Sequence, residues 1–221
     1  MKGYVTFLLV CTWFSAFAQL PDGFVYVKSI IPDLDVELRY HTKNNFVGKR
    51  IIGYQSNKLI LTKQSALALK EVQTALLAKN LCLKVYDGYR PQRAVNHFIT
   101  WANNLNDTIN KHAFYPDVDK LNLFKEDYIA ARSGHSKGST VDVTIIDGNT
   151  NKPLDMGSDY DFFGEASWVN YQHITNIQKA NRQLLQKVML ACGFKNYPKE
   201  WWHFTLRDEP FPNTYFDFPV K

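Results

Sequence analysis

The chain has three cysteines in 221 residues, and one of them, Cys11, falls within the first eighteen. The other two, Cys82 and Cys192, stand far apart among apolar residues. They leave room for one disulfide or two buried thiols, and they exclude a scaffold built from disulfides. No stretch approaches the ~20 consecutive apolar residues of a membrane helix, so no membrane span is expected in the mature chain. Charge of one sign is also scarce: the formal net charge is +5, and without Lys2 it falls to +4, with 25 basic against 21 acidic side chains. No run of Lys and Arg builds a stripe, which argues against nucleic acid as a partner. Internal repeats, low-complexity tracts and Pro/Gly/Ser linkers are missing from residues 19–221, so a single domain is expected there, large enough for a sizeable core.

The first eighteen residues have the layout of an export signal. A lysine at position 2 precedes an apolar run from Val5 to Phe17, and Ala16-Phe17-Ala18 forms an A-x-A cleavage site. The competing reading is a buried N-terminal helix. Val10 suits a lipid-attachment site at Cys11 poorly, since a small residue is usual there. The expectation is a signal peptide over 1–18, a mature chain starting at Gln19, and an exported, periplasmic location.

Strand-like runs occur at Phe24-Val25-Tyr26-Val27, Val36 to Tyr40, Leu81 to Tyr86 and Thr140 to Ile146. Helical spacing runs from about Lys63 to Lys79, with Ala66, Leu69, Val72 and Leu76 on one face. It recurs from about Tyr171 to Cys192, with Ile174, Ile177, Leu184, Leu185, Val188 and Met189 inward and Gly193 past the end. A third helix is expected from Pro91, carrying Ala94, Val95 and Phe98 inward. Without a regular βαβ alternation, the pattern predicts an α+β single domain with a mostly antiparallel sheet flanked by helices.

Residues 133–142 read SGHSKGSTVD. Side chains seven apart point to opposite faces of a strand, so His135 and Asp142 cannot share a face of one continuous strand. A turn through Ser136-Lys137-Gly138 removes the conflict, with Gly138 supplying backbone freedom. Beyond it, Val141, Val143 and Ile145 form an apolar face, while Thr140, Asp142 and Thr144 form a polar face toward a cleft. One imidazole and one carboxylate need a further partner to hold a metal. KEWWHFTLRDEP (199–210) offers it in Glu200 and His203. Two imidazoles and a carboxylate, with a fourth position left for water, are the ligand set of a catalytic zinc rather than a structural one. Residue types alone leave the bland alternatives open: core or surface histidines, and Trp201 and Trp202 as packing.

SGHSKGSTVD and EWWH resemble the S-x-H-x-x-G-x-[AS/T]-x-D and E-x-W-H patterns of zinc D-alanyl-D-alanine dipeptidases of the VanX type. The likeness extends in the same order through ELRYHTKNNFVG (37–48), VYDGYRPQRAV (85–95), DMGSDYDFFGEASW (155–168) and LRDEPFPNTYFDFP (206–219). Gly134 and Thr140 are small departures. The resemblance implies a hedgehog/DD-peptidase-like zinc fold with one Zn2+ per chain, held by His135, Asp142 and His203. It implies Glu200 as the catalytic base and Arg90 facing the scissile carbonyl. It also implies Asp161 and Tyr40 receiving the substrate ammonium, with Ser133 near its carboxylate. Trp201 and Trp202 would then shape the wall around the metal, and His41, His97, His112 and His173 would be structural or exposed.

The implied activity is hydrolysis of a small dipeptide substrate, D-alanyl-D-alanine, in peptidoglycan turnover or dipeptide scavenging outside the cytoplasm. Two alternatives remain at this level. One is a D,D- or L,D-carboxypeptidase acting on stem peptides, which must leave the amino-terminal side open and so conflicts with Asp161 and Tyr40. The other is a non-catalytic zinc-containing binding module, against which Glu200 and Arg90 argue. Each of these residues also has a plain structural alternative, such as Arg90 salt-bridging Asp87.

Overall fold

The computed structural model describes residues 20–221. The expected export signal over 1–18, Cys11 and the expected first mature residue Gln19 lie outside the described residues. The described residues form seven strands and four helices: β1 (Phe24–Tyr26), β2 (Asp35–Val36), β3 (Ile60–Thr62), α1 (Lys63–Leu77), β4 (Leu81–Asp87), α2 (Gln92–Asn103), α3 (Lys111–Phe114), β5 (Thr140–Asp147), α4 (Asn176–Ala191), β6 (Phe194–Tyr197) and β7 (Glu200–Leu206). The main sheet has the order β2-β4-β5-β7-β6, antiparallel throughout except between β2 and β4. A separate antiparallel ribbon joins β1 to β3. The α+β, mostly antiparallel expectation holds. Among the described residues no helix is long and apolar enough to cross a membrane.

The helix α1 forms where the spacing predicts it. The Thr62 hydroxyl caps it by accepting the Ser65 N–H, and Ala66, Leu69, Val72 and Leu76 are fully buried. Each of the larger three contributes roughly 1.5–3 kcal/mol by leaving water. α1 packs on β4, α4 packs on β6, and the two helices touch.

Three expectations need correction. The alternation at Val36, Leu38 and Tyr40 suggests a strand, but β2 ends at Val36. The Leu38 N–H turns to the Asn57 side chain at 3.1 Å, and Arg39–His41 form a 3-10 turn that buries Tyr40. α4 starts at Asn176 rather than Tyr171, because Thr175 and Gln178 form a capping box. Ile177, on its first turn, is therefore 72% exposed rather than inward, and Ile174 precedes the helix half-buried. On β5 both faces are covered: Thr140, Asp142 and Thr144 are buried like their apolar neighbours, and of the three only Asp142 lines the main cleft. Cys82 and Cys192 are both unpaired and half-buried, so the disulfide alternative falls away.

Two loops carry the site, and they are tied together. After β4, the Arg90 N–H donates to the His135 carbonyl at 3.3 Å, and the Tyr89 N–H donates to Ile60. Gly88 sits so close to Leu59 that a Cβ would lie 2.4 Å from its Cδ1. The turn before β5 is the expected one: residues 134–137 form a 3-10 helix, and Gly138 follows at φ +80°, in the left-handed region that glycine adopts without strain. The C-terminal segment straps both loops from behind. The Phe216 N–H donates to Ser136, the Gln92 N–H donates to Phe216, and the Tyr89 hydroxyl donates to the Phe218 carbonyl.

Candidate active site

A cleft of about 360 Å³ opens where β4, β5 and β7 meet, near the small end of the range for ligand pockets. All eight residues singled out in the sequence line it: Tyr40, Arg90, Ser133, His135, Asp142, Asp161, Glu200 and His203.

Three of them converge. His135 Nε2 lies 3.3 Å from Asp142 Oδ1, His203 Nδ1 lies 3.1 Å from the same oxygen, and the two nitrogens are 3.3 Å apart. A tetrahedral ion with donors at about 2.0–2.1 Å spaces them about 3.3–3.4 Å apart, so the triangle fits zinc. Asp142 Oδ1 is buried with no hydrogen-bond partner, which suits an oxygen that ligates a cation. His135 Nδ1 meets the Gly88 carbonyl at 2.8 Å, and a carbonyl only accepts. Nδ1 therefore carries the proton and Nε2 presents its lone pair to the cluster. The other Asp142 oxygen accepts from the Tyr160 hydroxyl at 3.0 Å.

Electrostatics favour a cation here. Burial alone would raise the Asp142 carboxyl, but His135 and His203 outweigh it and hold the group well below the usual carboxylate range. Burial works against charge on His203, yet the carboxylates of Asp142 and Glu200, 3.1 and 3.3 Å from its Nδ1, push the imidazole up to about 9.

Glu200 and His203 reach the same site although positions three apart on a strand face opposite ways. β7 breaks its alternation to allow this. One step on β6, from Asn196 to Tyr197, spans Phe204 to Glu200 on β7, so Trp201, Trp202 and His203 form a bulge. Glu200 Oε2 then stands 3.3 Å from His203 Nδ1. Trp202 lines the cleft, as expected, and meets Tyr160 edge-on. Trp201 instead turns to a neighbouring cavity, where its indole N–H donates to Ser158 at 2.9 Å. For Trp201 the expected role in the wall around the metal is corrected by the bulge.

Arg90 bridges two buried carboxylates, donating from Nε to Asp87 at 2.9 Å and from Nη2 to Asp142 at 3.5 Å. Its guanidinium lies over the rings of Tyr40 and Phe98, at 4.9 and 5.3 Å. The plain alternative of an Arg90–Asp87 salt bridge is thus realised together with a place in the cleft wall. The Tyr40 hydroxyl donates to Asp161 Oδ1 at 3.1 Å, while Asp161 Oδ2 is buried without a partner. Burial, followed by the charge of Asp142, raises the Asp161 carboxyl well above the carboxylate range, with Arg90 and Tyr40 pulling the other way. Ser133 caps the 3-10 turn by accepting the His135 N–H at 3.3 Å.

Further residues hold the site from behind. Asp87, fully buried, accepts from Tyr54 at 2.6 Å and from Arg90, and lies 3.5 Å from His135 Nδ1. Tyr54 is more than thirty positions from its partner, so no spacing announces it, and the sequence does not single out Tyr160, which donates to Asp142, although it stands next to Asp161. His97 is structural as expected, its Nδ1 accepting the Ile52 N–H.

A two-histidine, one-carboxylate triangle with a further carboxylate beside it and an arginine in the same wall defines a metallopeptidase centre. Comparison with known proteins narrows the class. The chain belongs to the D-ala-D-ala dipeptidase family, peptidase M15, whose profile matches residues 21–221. It is 39% identical over 202 residues to a D-alanyl-D-alanine dipeptidase of Enterococcus faecalis, covering 91% of this chain and all of that one. It is 39% identical over 197 residues to one of Streptomyces coelicolor, covering 89% and 98% of the two chains. The corresponding Escherichia coli enzyme is 32% identical over 177 residues, with 80% and 81% covered. A solved structure of a mutant vancomycin-resistance D,D-pentapeptidase VanY with Zn(II) overlaps at a TM-score of 0.42 and 16% identity, covering 69% of this chain and 76% of that one.

Proposed function

We propose that the chain is an exported zinc dipeptidase that hydrolyses D-alanyl-D-alanine to two D-alanines. The observation that carries this reading is a pair of buried carboxylate oxygens without donors on residues lining one cleft: Asp142 Oδ1 beside two imidazoles, and Asp161 Oδ2 beside Tyr40. The first suits a metal ion, the second the free ammonium of a dipeptide.

His135, Asp142 and His203 would hold one zinc. Bound there, it supplies Lewis acidity and a water acidified to about pKa 7. Glu200 takes the proton of the attacking water and returns it to the leaving amine. Arg90 offers fixed, permanently charged donors to the oxyanion that develops on the carbonyl. Asp161 and Tyr40 fix the ammonium, and Ser133 lies toward the carboxylate. A longer or blocked peptide lacks that ammonium and leaves Asp161 buried without a partner, which costs a few kcal/mol.

The purified enzyme is expected to cleave D-alanyl-D-alanine at least ~100-fold faster than its N-acetyl form or a stem pentapeptide. Comparable rates on the blocked dipeptide or the pentapeptide would instead identify a carboxypeptidase. No turnover of any of the three would identify a binding module. The layout of residues 1–18, a lysine, an apolar run and Ala16-Phe17-Ala18, supports a periplasmic role in wall turnover or dipeptide scavenging. Cell fractionation tests it, and uncleaved protein in the cytosol would refute it.

Asp161 also predicts a trade of stability for function. Its folded-state carboxyl is raised above the ordinary 3.8, so its contribution is favourable only at low pH and is lost as pH rises past that value. At neutral pH the free protein is therefore destabilised by this residue. Asp161→Asn keeps the shape, accepts from Tyr40, and suits the backbone at φ +62°. The variant is expected to melt about 2–4 °C higher at pH 7 and to show a KM for the dipeptide raised tenfold or more. A lower melting temperature or an unchanged KM would contradict this assignment.

A further inference from the structure

We propose that Arg132, braced by Tyr215, is the specificity residue that binds the substrate's terminal carboxylate; this deepens the dipeptidase reading and rests on it. A free dipeptide carries one charge at each end; Asp161 answers the positive end, while Ser133, placed toward the negative end, offers a hydroxyl but no charge. Among the described residues, two arginines and no lysine line the cleft. Arg90 is committed: it is bonded to Asp87 and Asp142, its side chain is 13% exposed, and its faces are covered by Tyr40 and Phe98. Arg132 is exposed, and among the described residues no acidic side chain pairs with it and no hydrogen bond occupies it.

Its position is also held. The Arg132 guanidinium lies 4.9 Å from the centre of the Tyr215 ring, a cation–π contact that limits its rotamers and leaves its donor edge free. Tyr215 belongs to the C-terminal strap, next to Phe216, whose N–H holds the Ser136 carbonyl of the metal loop. Arg132 directly precedes Ser133 at the start of that loop. Asp127 lines the same cleft, but its carboxylate is paired with Lys199 at 3.0 Å. Guanidinium is the group whose paired N–H donors match a carboxylate. Asp161 and Arg132 together read a dipeptide from both ends, which restricts its length as well as its polarity.

The test compares D-alanyl-D-alanine with D-alanyl-D-alaninamide, which lacks the negative charge. With wild-type enzyme the amide is expected to have a KM about tenfold higher at similar kcat. Arg132→Met should raise the KM of the acid by about tenfold and leave the amide unchanged, since a partly solvated charge-assisted pair is worth roughly that much. Arg132→Lys should recover part of the loss. Tyr215→Ala, as a positioning change, should raise the KM of the acid alone by a few-fold. Equal effects of Arg132→Met on acid and amide, or none on either, would overturn the proposal. Wild-type enzyme that cleaves neither substrate would refute the dipeptidase reading itself. Wild-type enzyme that cleaves both equally well would refute only the role of Arg132.

Discussion

Glu200→Ala is expected to lower kcat for D-alanyl-D-alanine by about 10²–10⁴-fold, the range for a positioned general acid–base. Zinc content should stay at the wild-type level. Glu200 Oε2 lies 3.3 Å from His203 Nδ1, close to the metal triangle but outside its three donors. Its loss removes a proton acceptor without removing a ligand. Its side chain is 20% exposed, so truncation leaves no buried charge behind and should cost little stability. Steady-state kinetics together with metal analysis on the same preparation checks both halves. A variant that lost its zinc would make Glu200 a ligand, and one with near wild-type kcat would leave the reaction without its base.

Arg90→Met carries the second large effect, and it should fall on activity and folding together. Removing one oxyanion donor typically costs about 10²–10³ in kcat, and Arg90 is the only arginine bonded to a metal-ligand carboxylate among the described residues. The same side chain neutralises Asp87, which is fully buried, and Asp142, which is 2% exposed. Breaking such a buried arrangement from one side costs about 3–5 kcal/mol. The variant is therefore expected to unfold at clearly lower denaturant concentration as well as to turn over slowly. Arg90→Lys should restore part of the stability but little of the rate, because one ammonium cannot bond Asp87 and face the substrate with a planar fork. Full stability in Arg90→Met would show that Asp87 and Asp142 do not depend on it.

The metal triangle was legible because its chemistry sits in two short segments. Strand parity demanded a turn between His135 and Asp142, and Gly138 at φ +80° supplies it. The family resemblance, not the spacing, chose His203 over Glu200 as the third donor and named the substrate. Parity also hid something: it would set Glu200 and His203 on opposite faces, and only the three-residue bulge of β7 reconciles them. A bulge depends on how a neighbouring strand pairs, so the run EWWH does not announce it. Tyr40 and Asp161 come together across 121 positions, and Tyr54 and Asp87 across 33. Hydrogen bonds between such distant groups leave no periodic trace. The short β2 and late start of α4 have local causes, the Asn57 side chain and the Thr175–Gln178 capping box. The capping box was readable in the sequence, whereas Asn57 was not.

The central claim is that one zinc, held by His135, Asp142 and His203, makes this chain a D-alanyl-D-alanine hydrolase. The most direct test is to strip the purified protein of metal and titrate zinc back while measuring D-alanine release from the free dipeptide. The account predicts no release from stripped protein, a linear rise to one zinc per chain, and a plateau beyond it, with Asp142→Ala flat throughout. Undiminished release from the stripped protein, or full recovery in Asp142→Ala, would contradict it.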